Sequence, residues 1–335
     1  MRKARASSLK GQNRSRTKSS IKHGNEVSKP QLSSRPPSTL RTSSTHSQLR
    51  QQSQRPLHSP AYQNLIYKPN FISPSQKLEL IKWLSTLHPI WETRYSKSRP
   101  PPTGTDQRRL LRPVYWLGNW QFACLNYFHP PKNIYNCCVQ AEPFPPLLQS
   151  LADSIEQEVH TFFQPRDIPT DWHFNTCLIN FYGHSIDKTN KKTDTARVGE
   201  HKDFEPGPVG SVSFGERALF QFVDSHLRDA KSNVILQQWL DDSSLQVFGG
   251  DRFKRKLFHR VQRVEHKTGL SLGPHISGFE SRRINFTFRY VPKEYIIPFA
   301  KLPLPLQEDL RPYIEELSHF SHFFNEVFMN LEPGS

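Results

Sequence analysis

Beyond Trp172 the chain alternates apolar and polar residues with a period of two, and this pattern limits the possible folds more than any other feature of the sequence. Turns rich in Gly and Asp separate the alternating segments. The segments are residues 176–182, 211–214, 218–223, 245–248 and 283–290. Because these many short strands follow two predicted helices, the sequence predicts a mostly β fold, a double-sheet jelly roll with helices packed on one outer face.

The helices are predicted from apolar residues that recur every three to four positions. A short strand at residues 65–67 precedes Ser73-Pro74, which are typical of an N-cap and a first helical residue, and Pro89 is expected to end that helix. Further helices are predicted at about 145–163 and 312–329. The expected core stripes are Leu78, Ile81, Leu84 and Leu87 in the first helix, and Ile314, Leu317, Phe320, Phe324 and Val327 in the last.

The charge of the chain is concentrated at its N-terminus. Residues 1–56 contain 13 Lys or Arg and one acid, Glu26, so they carry +12 of the formal net charge of +15. They have too few apolar groups to offset the entropy of folding. We therefore predict a disordered basic tail (1–56), a folded domain (57–300) and a C-terminal helical extension (301–335). The tail is expected to contact nucleic-acid phosphates; its composition also allows a solvated extension or an organelle transit segment.

Cysteine spacing and hydropathy point to an intracellular protein. The four cysteines have neither disulfide-framework nor zinc-ribbon spacing, which indicates a reducing compartment. No run of 18 apolar residues and no secretory h-region is present, so we expect no contact with a membrane. The expectation is a soluble, cytoplasmic monomer, with nucleus and organelle left open.

One pair of residues has the spacing of metal ligands. His201 and Asp203 are two positions apart, and side chains at i and i+2 of a strand share a face. With a distal histidine they would form the two-histidine, one-carboxylate triad of Fe(II) oxygenases, which leaves coordination positions open. Taken alone, the pair is a weak signal for a metal site, and a plain polar strand end is the simpler alternative.

The strand at residues 283–290 strengthens the metal interpretation. One of its faces carries Arg283, Asn285, Thr287 and Arg289, and the other is apolar. Six residues place the two arginine Cα atoms about 20 Å apart, so two extended side chains can converge on a five-carbon dicarboxylate. Guanidinium forks suit carboxylates.

The order of these motifs resembles the AlkB family of Fe(II)- and 2-oxoglutarate-dependent dioxygenases over about residues 60–292. The motifs are Asn180-x-Tyr182, His201-x-Asp203, Ser211-Val-Ser-Phe-Gly215, Phe220-Gln-Phe222, Gly249-Gly250, His259 and Arg283-x-Asn285-x-Thr287-x-Arg289. The resemblance implies a double-stranded β-helix, the same jelly roll. It also implies that His201, Asp203 and His259 bind iron. The implied 2-oxoglutarate residues are Asn180, Tyr182, Arg283, Asn285 and Arg289.

His259 is preferred to His266 and His275 because it follows Leu257-Phe258 at the family's distance from the double glycine. Each candidate substrate contact has an alternative. Tyr115 and Trp116 lie where the family carries its nucleotide-recognition lid, and core packing is the alternative for both. Glu205 is expected near the target base or behind the iron site, and Arg228 on a phosphate or in solvent.

The resemblance implies oxidative dealkylation of N-alkylated bases in DNA or RNA, as in alkylation-damage repair. Fe(II), O2 and 2-oxoglutarate would be used, and succinate, CO2 and an aldehyde released. Two alternatives stay open: the same dioxygenase chemistry on a protein or small molecule, and a non-catalytic nucleic-acid binding module. The segments 186–198 and 224–245 are longer than the family pattern and are expected at the mouth of the pocket.

Overall fold

The computed structural model describes residues 62–121, 138–225, 232–262 and 271–331, so the predicted basic tail lies outside the described residues. Within these ranges the chain forms thirteen strands and four α-helices. In chain order they are β1 (Leu65–Lys68), α1 (Pro74–Leu84), β2 (Val114–Leu117), β3 (Asn119–Gln121), β4 (Cys138–Gln140), α2 (Pro146–Phe162), β5 (Thr176–Ile186), β6 (Lys192–Asp194), β7 (Val198–His201), β8 (Val209–Gly215), β9 (Ala218–Val223), β10 (Val234–Leu240), β11 (Ser244–Phe248), β12 (Phe258–Gln262), β13 (Phe279–Arg289), α3 (Leu304–Ser318) and α4 (His322–Met329).

Two antiparallel sheets dominate the fold. The larger has seven strands in the order β1-β11-β8-β13-β5-β2, with β6 paired to β5, and the smaller has the order β10-β9-β12-β7. Strands β3 and β4 form a separate pair. This arrangement confirms the predicted mostly β, jelly-roll fold class.

The alternation along β13 separates the core from the site. Ile284, Phe286 and Phe288 are fully buried in the main apolar cluster, which also contains buried residues of all four helices. The intervening residues of β13 point to the other side of the sheet, as side chains of a strand must. The predicted polar and apolar faces of this strand are therefore both present.

Helix α1 begins as predicted, with Ser73 and Gln76 forming a capping box and Pro74 in the first position. Its core stripe is different from the prediction. Leu80 is 1% exposed and Leu84 is buried, whereas Leu78 is 70% exposed. The helix ends at Leu84, well before Pro89. The predicted stripe is therefore right at Leu84 and wrong at Leu78, because a strict three-residue spacing drifts around a helix of 3.6 residues per turn.

The predicted C-terminal helix at 312–329 is instead two helices. Helix α3 starts at Leu304 and contains Pro312, and Ser321 caps the separate helix α4 by accepting a hydrogen bond from the Phe324 N–H. Phe320, expected on the apolar stripe, lies in the break, is 61% exposed and stacks on His88. An N-cap serine inside the apolar periodicity is the physical reason for the break.

The two longer segments extend the sheets. Within 186–198, β6 pairs with the end of β5, and buried Arg282 holds it through Asp194 at 3.1 Å. The described part of 224–245 supplies β10, which pairs with β9. In the described residues, no helix is both long enough and apolar enough to cross a bilayer.

Two leucines of α1 test which face of that helix is buried. Leu80→Ala is expected to lower the free energy of unfolding by about 2 to 5 kcal/mol, because it leaves a cavity in the core. Leu78→Ala is the matched control and should stay within about 0.5 kcal/mol, because the side chain is exposed. Denaturant unfolding measures both, and equal losses would contradict the observed face.

Candidate metal and cosubstrate site

Three residues that could bind a metal meet at the edge where β7 and β12 pair. His201 ends β7 and lies directly opposite His259 in the register of β12, and Asp203 follows two residues after His201. Their ligand atoms all lie within 4.8 Å of one another, and the His259 Nε2 is 3.4 Å from the Asp203 Oδ2. All three side chains are buried. The predicted His-x-Asp pair and distal histidine thus converge in space.

The two imidazoles are held in place by their surroundings. The His201 Nδ1 lies 2.7 Å from the Gly199 carbonyl, so Nδ1–H donates and Nε2 keeps a lone pair for a metal. The His259 ring stacks on Phe220 with centroids 5.4 Å apart, and Phe248 packs at 5.0 Å. Backbone and aromatic contacts therefore fix both rings before any metal binds.

The protonation states suit a metal site. Burial lowers the pKa of both His201 and His259, so both rings are neutral at neutral pH. For Asp203, burial opposes ionisation, but the charge of the adjacent Arg289 guanidinium favours it and the carboxyl pKa is lowered. Two neutral imidazoles and one carboxylate are the donor set of non-haem Fe(II), so these residues fit that ion.

A double glycine leads the chain into β12. Gly250 has φ of +66°, and a Cβ there would lie 2.4 Å from the Asn64 Nδ2, so a larger residue would be strained. One turn of π-helix, Asp251–Lys256, follows and delivers His259 to the site. His275 is exposed and lies outside the metal cluster, and His266 lies outside the described residues.

A narrow cavity between the sheets continues from the metal cluster. Asn180, Tyr182, Arg283, Asn285 and Arg289 all line it, together with the three candidate ligands. The register explains the convergence, because Arg283 pairs with Tyr182 and Asn285 with Asn180 across β13 and β5. The predicted cosubstrate residues are therefore brought together along one wall.

Arg283 has the features of an anion-binding residue. Its Nη2 donates to the Ser213 Oγ at 2.9 Å, and its guanidinium carbon lies 5.0 Å from the Tyr182 ring centroid. In the described part of the chain, its buried Nε and Nη1 have no hydrogen-bond partner, and burial lowers its pKa. A buried cation with unused donors and no counter-ion is unfavourable, so Arg283 fits a ligand carboxylate.

Arg289 makes a contact that the sequence did not indicate. Its Nε and Nη2 lie 3.1 and 2.9 Å from the Asp203 Oδ1, and the Glu205 Oε1 is 3.5 Å from Nε. The prediction that both arginines serve only the dicarboxylate is thus too simple. Arg289 holds the candidate metal carboxylate in place at the metal end of the cavity.

The two asparagines differ in their roles. The Asn285 Nδ2 donates to the Ser211 Oγ and the Val212 carbonyl, and its Oδ1 accepts from Thr287, so its amide shapes the cavity wall. The Asn180 Oδ1 accepts from the Arg112 Nε at 2.6 Å, which leaves its amide donors for a ligand.

The structure separates the four predicted substrate residues. Tyr115 is buried in the core, donates to Glu142 and lines a different groove beside α4, which agrees with the alternative of core packing rather than with a place in the lid. Trp116 faces the opposite side, as the next residue of a strand must, and lines a cavity that reaches His201. Its indole donates to the buried Glu92 at 2.6 Å. Arg228 lies outside the described residues.

Glu205 does not line the Trp116 cavity or the cosubstrate cavity. It lines a surface cleft with Lys254 and Asp203, and both Glu205 and Lys254 are close to Arg289. Its expected contact with the target base stays a prediction, and the alternative of a carboxylate behind the iron site agrees with these contacts. The sequence position of Glu205, two residues after Asp203, is compatible with both of these roles.

The cavity beside Trp116 was not anticipated and is unusually basic. It has a volume of about 200 Å³ and opens next to His201. Its arginines are Arg94, Arg108, Arg109, Arg112 and Arg197. We call it the arginine cavity, and it includes Trp116 and Leu178 as apolar walls. The run Arg-Arg-Leu-Leu-Arg at 108–112 was the available signal, but nothing in the sequence placed it beside the metal.

Comparison with known proteins identifies the class. The family described as the 2OG-Fe(II) oxygenase superfamily matches residues 64–289, and the chain belongs to that superfamily. The predicted Fe(II)- and 2-oxoglutarate-dependent oxygenase, with Fe(II) and 2-oxoglutarate as its cofactors, is confirmed at the level of this superfamily. No curated protein matches the chain.

Solved structures with similarity to the chain are distant. OsALKBH1 is 20% identical over 68% of this chain and 98% of its own, with a TM-score of 0.42. A full-length Neurospora crassa protein in complex with alpha-KG and thymine is 12% identical, over 69% and 77%, with a TM-score of 0.35. The Escherichia coli ribosomal oxygenase YcfD with cobalt and 2-oxoglutarate is 11% identical, over 69% and 49%, with a TM-score of 0.29. They give no basis for choosing a substrate.

Metal binding can be tested residue by residue. His201→Ala and His259→Ala should each weaken Mn(II) or Fe(II) binding by more than the roughly 10- to 100-fold that loss of an outer hydrogen-bond partner produces. His322→Ala, at an exposed position of α4, is the control and should leave affinity unchanged. Anaerobic titration calorimetry measures all three, and a His201 variant with wild-type affinity would rule out the cluster.

Arg283 provides a separate test of the cosubstrate cavity. Arg283→Met removes a charge-assisted contact of about 1.5 to 3 kcal/mol and should weaken 2-oxoglutarate binding by about 10- to 100-fold. Arg283→Lys keeps the charge but loses the fork, so it should recover only part of the affinity. Binding to the Mn(II)-loaded protein gives the readout, and full affinity of the Met variant would refute the assignment.

Proposed function

We propose that this protein oxidatively removes alkyl groups from nitrogen atoms of nucleic-acid bases. The observation that carries the proposal is the arginine cavity, which is lined by five arginines and by the candidate metal ligand His201. Phosphodiesters are the polyanions that such a lining attracts. Apart from Glu92, the residues of this cavity are basic, apolar or uncharged, which disfavours a cationic substrate.

In this proposal, the residues of the jelly roll bind and orient the reactants. Bound Fe(II) and 2-oxoglutarate would supply the oxidation of an N-alkyl carbon with oxygen, after which the alkyl group leaves as an aldehyde. His201, Asp203 and His259 hold the metal, and Arg289 keeps the Asp203 carboxylate oriented. Arg283 binds the dicarboxylate at the other end of the cavity.

The substrate base would reach the metal only after leaving its stack. Trp116 forms an apolar wall on that route, and its indole is fixed because both it and Trp120 donate to the Glu92 Oε1, at 2.6 and 2.8 Å. A rigid wall of this kind favours one orientation of an inserted base. Arginines on either side would then neutralise flanking phosphates.

The arginines sit on a segment with its own scaffold. The Leu110 N–H donates to the Glu92 carbonyl at 2.8 Å, and the Arg94 N–H donates to the Arg108 carbonyl at 2.9 Å. These two backbone hydrogen bonds form an irregular antiparallel pairing that holds the segment with Arg108 and Arg109 beside Arg94. Arg197, just before β7, approaches from the longer segment 186–198, and the basic residues 1–56 would add non-specific affinity for phosphates.

The decisive experiment measures formaldehyde and succinate released from oligonucleotides that carry methyladenine or methylcytosine, in DNA and in RNA. We expect formaldehyde from at least one of them, dependent on Fe(II) and 2-oxoglutarate and absent with His201→Ala. Succinate formation that no oligonucleotide stimulates, without formaldehyde, would contradict the proposal and favour a protein or small-molecule substrate.

Charge variants connect this activity to the arginine cavity. Arg109→Ala and Arg197→Ala should each weaken oligonucleotide binding and reduce the slope of log affinity against log salt by about 0.7 to 0.9, the share of one phosphate contact. Arg311→Ala, on the exposed side of α3, is the matched control and should change neither. An unchanged slope in both cavity variants would remove the arginine cavity from the binding surface.

A further inference from the structure

Arg112 belongs to both cavities of the site. It lines the narrow cosubstrate cavity together with Arg283, and it also lines the arginine cavity together with Arg197. His201, Leu178 and Val198 also border both cavities, but none of them carries a permanent charge at neutral pH. A cation at the boundary of two anion-binding cavities can respond to a ligand in either one.

On the cosubstrate side, Arg112 contacts two residues that line the inner cavity. Its Nε donates to the Asn180 Oδ1 at 2.6 Å, and its guanidinium carbon lies 5.4 Å from the centroid of the Tyr182 ring. The Arg283 guanidinium carbon lies 5.0 Å from the same ring. The position of Arg112 therefore bears directly on the orientation of Asn180 and Tyr182.

On the substrate side, Arg112 still has donors to offer. A guanidinium has five N–H donors in a fixed plane, and Nε uses one of them. Among the described residues, no group accepts a hydrogen bond from its Nη atoms. The side chain is partly exposed at the arginine cavity. An oxyanion there can bind the Nη edge without breaking the bond from Nε to Asn180.

The backbone keeps this arrangement in register. The Phe181 N–H donates to the Pro113 carbonyl at 3.1 Å, and Val114 pairs directly with Asn180 across β2 and β5. Arg112 therefore lies one residue before a backbone hydrogen bond to β5, the strand that carries Asn180. A shift of the 108–112 segment on substrate binding acts on Asn180 through a short, rigid connection.

We propose that Arg112 couples the two ligands: a substrate phosphodiester bound at its Nη edge fixes the guanidinium against Asn180 and Tyr182, and so raises the affinity for 2-oxoglutarate. The inference rests on the proposed function, because it takes a nucleic acid as the occupant of the arginine cavity. Thermodynamic linkage requires that 2-oxoglutarate raises oligonucleotide affinity by the same factor. A factor of about five or more is expected for coupling through one ordered side chain.

The test measures 2-oxoglutarate affinity by calorimetry on the full-length, Mn(II)-loaded protein, with and without a saturating oligonucleotide. The wild type should bind 2-oxoglutarate about fivefold or more tightly when the oligonucleotide is present. Arg112→Met should bind 2-oxoglutarate more weakly and show a ratio near one. Thermal unfolding of each variant checks that the fold is retained.

Two further variants separate coupling from general charge. Arg112→Lys restores the positive charge, but one ammonium cannot replace a planar fork that touches Asn180 and a phosphate together. The Arg112→Lys variant should recover oligonucleotide affinity, but its 2-oxoglutarate affinity should be the same with and without the oligonucleotide. Arg109→Met, the matched control in the same cavity, should weaken oligonucleotide binding yet keep the ratio once the oligonucleotide is saturating.

The outcomes distinguish this inference from the proposed function. A wild-type ratio of one, or an unchanged ratio in Arg112→Met, overturns the coupling even if formaldehyde is released from the oligonucleotide. Failure of the wild type to bind any oligonucleotide overturns both. Loss of the ratio in Arg112→Met and Arg112→Lys, with retention in Arg109→Met, supports the coupling.

Discussion

The structure depends on one strand whose two faces have opposite chemistry. Strand β13 buries Ile284, Phe286 and Phe288 against the helices, while its other face carries two arginines into the space between the sheets. The apolar face supplies the burial that stabilises the larger sheet. It thereby holds charged side chains in an interior where, without partners, they would destabilise the fold. The two faces also fix the pairing register of β13, because a shift of one residue would turn the apolar side chains toward the site and the arginines toward the core.

The buried charges are arranged around Asp203. Arg289 lies within hydrogen-bond distance of it, and Lys254 contributes a second buried positive charge nearby, with a pKa that burial lowers. Glu205 adds a second carboxylate beside Arg289. A buried ion pair often adds little net stability compared with apolar packing, so such a cluster is better explained by the metal site than by folding. Removing any one member would leave the others incompletely paired.

The sequence predicted features that depend on local spacing. The two-residue period predicted the strands, and the short offset between His201 and Asp203 kept these two candidate ligands close together, although Asp203 lies beyond the end of β7. It did not predict contacts set by pairing between distant strands, such as Arg289 with Asp203. The site of Arg112 depends on the β2–β5 register, which no local pattern encodes. Likewise, both faces of β2 are buried, so whether Tyr115 or Trp116 faces the cavity depends on how β2 is oriented in the sheet.

The C-terminal helices explain how the arginine cavity is supported from outside the superfamily match at 64–289. On α3, the Tyr313 hydroxyl accepts from the Thr93 N–H at 2.9 Å, and Asp309 accepts from the Lys97 N–H at 2.9 Å. Both contacts hold the segment that carries Arg94, next to the buried Glu92. The helices share the main core with β13, so the cavity rests on the same packing as the metal cluster. The C-terminal region therefore supports the arginine cavity, although the sequence predicted only a helical extension at 301–335.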